Sequence, residues 1–86
     1  MKKLIKFYSP TCAPCKALWP HLELLKDYIE IEKVDVTQHP EIAEQYNVMG
    51  LPTVVLFEDN ILVDKIRGFS NSIVGRINSF ALGVIA

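Results

Sequence analysis

The chain has 86 residues, half of them hydrophobic and 22% charged. That size and balance suit one globular domain over residues 1–86 and exclude a disordered tail. Nine basic residues against ten acidic ones leave a formal net charge of −1, and with no run of like charge nucleic-acid binding is not expected. No stretch approaches the ~20 apolar residues that span a bilayer. Lys6 and Pro10 interrupt what would be a signal peptide's apolar stretch, so cytoplasmic residence without membrane association is expected.

In chain order, residues 3–8 (Lys-Leu-Ile-Lys-Phe-Tyr) are rich in apolar and β-favouring types and are halted by Ser9-Pro10, which predicts a short, largely buried strand. From Lys16 the period changes. Leu18, Leu22, Leu25 and Ile29 fall at i, i+4, i+7 and i+11, one face of a helix running to Ile29, with Lys16, Glu23, Lys26 and Asp27 toward water. Pro20 interrupts that helix and is expected to kink it. Residues 31–36 read as a second short strand. His39-Pro40 opens a short helix whose apolar face is Ile42, Ala43 and Tyr46 and which ends by Asn47 and Gly50.

Thr53-Val54-Val55-Leu56-Phe57 is a continuous β-branched and aromatic run, the pattern of a strand buried on both faces. Glu58-Asp59-Asn60 supplies turn chemistry, and Ile61 to Arg67 returns antiparallel, its Asp64, Lys65 and Arg67 suiting a sheet edge. Ser70 is placed to cap a last helix with the face Ile73, Ile77, Phe80 and Val84; the uncharged tail Ala81 to Ala86 is read as a frayed or core-packed helix end. The order β-α-β-α-β-β-α predicts an α/β fold, a four-stranded mixed sheet covered by helices.

Only two cysteines occur, three positions apart, in Cys12-Ala13-Pro14-Cys15. A disulfide across so small a loop restrains little of the unfolded chain, so structural stapling explains them poorly. Their place between the first strand and the first helix suits a thiolate, because free N–H groups and the positive end of the helix favour an anion there. Pro14 fits the first helical turn, where its missing N–H does no harm. Cys12 as attacking thiol and Cys15 as resolving thiol, one turn on, would exchange disulfides through a mixed disulfide. A zinc site built from the pair with His21 and His39 is the weaker alternative, since their spacing matches no compact ligand set; no metal is expected.

Cys12-Ala13-Pro14-Cys15-Lys16, Pro20, Lys33-Val34-Asp35-Val36, Gly50-Leu51-Pro52-Thr53 and the later Gly68 together resemble the thioredoxin superfamily over essentially the whole chain. The resemblance implies its minimal fold, helices on both faces of the sheet, and a protein disulfide reductase with no bound cofactor beyond a redox-active Cys12–Cys15 disulfide. It also implies a cis Pro52 against the cysteines. The backbone of Leu51 would dock an extended segment of the substrate, and Thr11, Ala13, Pro14 and the loop at Gly68-Phe69 would rim that surface. Expected partners are disulfide-containing proteins and a thioredoxin-reductase-type electron donor, with the chain a monomer. A glutathione-dependent, glutaredoxin-type reductase and a non-catalytic binding module are the alternatives.

Three departures stand out. The extra amino-terminal strand and helix of typical thioredoxins have no counterpart, so the size approaches that of glutaredoxins. Ser9-Pro10-Thr11 replaces the usual Trp before the first cysteine, and Trp19, on the helix, reads as core packing and no substitute for it. Lys6 stands where the family carries a buried Asp associated with proton transfer at the resolving cysteine. A charged Lys6 would lower the thiol pKa and a neutral one could accept a proton; Asp35 is the alternative carboxylate.

Overall fold

A computed structural model describes residues 1–83. β1 (Lys2–Tyr8) runs through the middle of the sheet, parallel to β2 (Glu30–Asp35) on one side and antiparallel to β3 (Thr53–Glu58) on the other. β4 (Ile61–Arg67) pairs antiparallel with β3, giving the order β2-β1-β3-β4. The hairpin turn is made by Asp59 and Asn60 at φ 52° and 69°, the left-handed pair that a two-residue turn between twisted strands requires. Val63 is the extra residue of a bulge, since Leu56 faces Asp64 while Phe57 faces Leu62.

Because side chains alternate across a strand, β1 serves two cores. Leu4 joins Leu18 and Leu22 of α1 (Ala13–Glu23) with Ile77 and Ala81 of α3 (Asn71–Leu82) on one face. Ile5 and Phe7 join Val34 and Val55 on the other, covered by Ile42 and Ala43 of α2 (Pro40–Gln45). Helices therefore cover both faces. β3 is enclosed from Thr53 to Leu56, as its uninterrupted apolar run predicts.

The first helix is shorter than its periodicity predicts. α1 ends at Glu23, and Leu25 and Ile29 lie in successive turns closed by Leu25 N–H to Leu22 O at 2.9 Å and Tyr28 N–H to Leu25 O at 2.9 Å. Both residues are still buried, so the apolar spacing reported burial against the sheet and not helix continuation. The chain must turn there to enter β2 beside β1. Pro20 lies within α1, leaving the Lys16 carbonyl without its helical donor.

Ser70 caps α3, its Oγ accepting from Ile73 N–H at 3.2 Å, and Gly83 closes it at φ 68°. Lys2 Nζ donates to Phe80 O at 2.7 Å, a cation at the end of α3 where carbonyls are free. Val84, assigned to the same apolar face from sequence, and the rest of the tail to Ala86 lie outside the described residues. No helix of the described residues is long and apolar enough to cross a membrane.

Candidate active site

β1 ends at Tyr8, and Ser9-Pro10-Thr11 turns the chain into α1, with Cys12 N–H donating to Ser9 O at 3.2 Å. Cys12 is the N-cap of α1, its backbone extended at φ −86° and ψ 103°, and its Sγ accepts from Cys15 N–H at 3.2 Å. A cysteine sulfur thus occupies the capping position usually held by Ser or Asp, among the free N–H groups of an eleven-residue helix. Cys12 and Cys15 are joined in a disulfide with their Cα atoms 5.3 Å apart. The two are unequally presented: Cys12 is half-buried and Cys15 fully enclosed. Thr11, Ala13 and Pro14 around them are exposed.

The segment before β3 is held from two sides. Thr53 Oγ1 donates to Gly50 O at 2.6 Å, and Gly68 N–H donates to Pro52 O at 2.8 Å. Gly68 adopts φ 104°, a conformation that other residues reach only with strain. Leu51 is half-buried, Pro52 buried, and the bond between them cis. No backbone bond engages Leu51 among the described residues. The Phe69 ring lies 5.9 Å from that of His21 on α1, which ties the loop after β4 to the cysteine-bearing helix.

Lys6 and Asp35 part company. The Lys6 side chain is nearly enclosed, and its Nζ lies 4.9 Å from the centre of the Trp19 ring, which stands edge-on to Tyr8 with ring centres 4.9 Å apart. Burial holds its pKa below the ordinary lysine value; Glu23 opposes the shift and Lys33 adds to it. The Asp35 carboxylate instead accepts from Thr37 Oγ1 at 2.6 Å and Thr37 N–H at 2.9 Å. Those bonds, the hydroxyl's first, hold its carboxyl below the usual carboxylate range, which makes it a weaker base than the alternative-acceptor role calls for. Trp19 and Glu23 as neighbours of Lys6 escaped the sequence reading. They lie four apart on α1, one helical turn, and that spacing was the available signal.

The lysine has a testable consequence. With its pKa in the fold below the 10.5 of an ordinary lysine, the unfolded chain binds this proton more tightly, so the lysine's contribution to stability rises with pH from the lowered value up to 10.5. Lys6→Met is expected to raise the urea midpoint at pH 7 and to flatten its rise at alkaline pH; an unchanged alkaline rise would show that another group causes it.

His21 and His39 sit on different elements, and the described residues contain no group of three or more His, Cys, Asp or Glu placed to hold a metal. The redox group present is the disulfide itself.

The family model described as Thioredoxin matches residues 1–79. A thioredoxin of Staphylococcus epidermidis is 44% identical over 71 residues, which cover 78% of this chain and 68% of that protein. Thioredoxin Y2 of Arabidopsis thaliana, a chloroplastic protein, is 38% identical over 82 residues, 88% of this chain but about half (49%) of its own length. Among solved structures, the oxidised form of mitochondrial thioredoxin 3 from Saccharomyces cerevisiae superposes with a TM-score of 0.83 at 34% identity, covering 96% of this chain and 78% of that one. With a cysteine pair bonded at the start of α1 and a matching family model over nearly its whole length, the chain belongs to the thioredoxin family and is a thiol–disulfide oxidoreductase.

Proposed function

We propose that the chain reduces disulfide bonds of other proteins, with Cys12 as attacking and Cys15 as resolving thiol. The observation that carries this is the unequal presentation of one bonded pair, Cys12 half-buried at the head of α1 and Cys15 enclosed behind it. In the reduced protein a folded partner reaches the Cys12 sulfur alone, and the helix end and the Cys15 N–H favour its thiolate. That thiolate attacks one sulfur of the partner's disulfide and expels the other, which takes up a proton. A mixed disulfide results. Cys15 then loses its proton, attacks Cys12 Sγ and releases the second partner thiol. Two electrons and two protons have passed to the partner, and the Cys12–Cys15 disulfide is the product.

Docking uses the surface around the pair. Leu51, with its backbone free, offers strand-like hydrogen bonds to an extended partner segment, while Pro52 and Gly68 hold that segment's platform by their mutual bond. Thr11, Ala13 and Pro14 form the exposed rim. The chain works as a monomeric single domain over residues 1–86, in the cytoplasm, with a thioredoxin-reductase-type flavoprotein returning the disulfide to the dithiol.

The experiment is insulin reduction driven in parallel by NADPH with thioredoxin reductase and by glutathione with glutathione reductase. Sustained turnover is expected in the first and background rate in the second. Turnover with glutathione alone would move the chain to the glutaredoxin type.

A further inference from the structure

Beside α1, starting at the residue after Cys15, runs a groove of about 550 Å³ whose walls include Lys6, Tyr8, Lys16, Trp19, Glu23 and Lys33. A second depression continues it past Lys26. Four lysines thus surround one glutamate, in a chain whose formal net charge is −1, and that glutamate already lies 4.0 Å from Lys26 Nζ. The groove holds a local excess of positive charge that the whole molecule does not have.

Its floor is the most informative part. Lys6 is only 8% exposed, and its ammonium has no hydrogen bond or ion pair among the described residues; it lies over the Trp19 face, 4.9 Å from the ring centre. Since no sealed side-chain nitrogen or oxygen of the described residues goes unpaired, this ammonium opens into the groove. Its depressed pKa reports a cation held partly out of water, with Glu23 near enough to oppose the shift but not paired with it. A carboxylate arriving there would offset that cost, and charge-assisted hydrogen bonds to lysine are among the stronger ones.

The groove also lies within reach of the chemistry. Lys16 stands four residues after Cys12, about 6 Å along the helix axis. An extended peptide advances ~3.3 Å per residue, so a segment bonded through its cysteine to Cys12 reaches the groove two to four residues away. We propose that this groove is a subsite for an acidic side chain of the partner protein, so that the chain prefers disulfides whose cysteine has Asp or Glu two to four residues distant. The carboxylate lies between Lys16 and Lys33, over the Lys6 ammonium, with Trp19 and Tyr8 walling it from water. This preference rests on the disulfide exchange proposed above.

Two peptide disulfides that differ only in Glu or Gln three residues from the cysteine test it, reduced by the wild-type protein, Lys16→Gln and Lys33→Gln. The Glu peptide is expected to show about fivefold higher kcat/KM, the size of one half-exposed ion pair. The advantage should fall toward unity at about 0.5 M salt and in both variants, while the Gln peptide is unaffected. Equal kcat/KM for the two peptides in the wild type, or an undiminished preference in both variants, overturns the subsite. A binding arm uses the same peptides with Ser for Cys, which cannot be reduced. The Glu peptide is expected to shift the Lys33 amide and Trp19 indole NMR signals, and the Gln peptide is not. Such shifts without any turnover keep the subsite and reject the reductase; turnover without shifts or preference rejects the subsite and keeps the reductase.

Discussion

Cys12→Ser is expected to abolish insulin reduction, with a loss of at least ~1,000-fold, while Cys15→Ser stops after one half-turnover with the partner bonded to Cys12. The asymmetry follows from placement. Cys12 caps α1 at the surface and its sulfur faces the free N–H groups there, including that of Cys15 at 3.2 Å; a hydroxyl in its place is a far weaker nucleophile at neutral pH. Cys15 lies a turn deeper with no exposed surface, so removing it spares the first attack and deletes the second. Non-reducing gels and intact mass after mixing with insulin distinguish the two variants. Comparable turnover in Cys12→Ser would remove this cysteine from the mechanism.

Phe7→Ala should cost about 3–5 kcal/mol, the range for emptying a large aromatic site in a core. For a domain of this size that lowers Tm by on the order of 20 °C, and it is a large share of the ~5–15 kcal/mol that holds small proteins folded. Phe7 has no exposed surface, pairs with Val34 on β2 and Thr53 on β3, and lies 5.9 Å from the Tyr46 ring at the end of α2. Tyr46 in turn meets Phe57 edge-on at 5.9 Å. Phe7, with Ile5, is therefore a contact through which one face of the central strand holds α2, and through its pairing with Thr53 it supports the segment that carries Pro52. Calorimetry measures the loss, and a fall in Tm of only a few degrees would mean that this face packs loosely enough to close the gap.

Much of this architecture was legible in the residues because different physical signals agreed. The β-branched run 53–57 could only be a buried strand, and Glu58-Asp59-Asn60 held two residues that tolerate the left-handed backbone of a tight turn. Ser70 announced the start of α3 by its capping chemistry. The end of α1 was hidden, since Leu25 and Ile29 kept a helical spacing while serving the same core from turns. At the site, the cysteines declared their place at a helix start through local sequence alone. The bond from Gly68 to Pro52 joins residues sixteen apart through the β3–β4 hairpin, so the strand pairing had to be known first. The surroundings of Lys6 needed still more, because which face of α1 lies over β1 depends on how both cores are filled.

The most direct measurement on the whole account is thiol alkylation of the fully reduced protein across pH, with the labelled site mapped by peptide mass. Cys12 is predicted to react first, with a midpoint below the ~8.5 of a free thiol, and Cys15 to stay unlabelled until the chain unfolds. Equal labelling of both cysteines, or Cys15 ahead of Cys12, would contradict it.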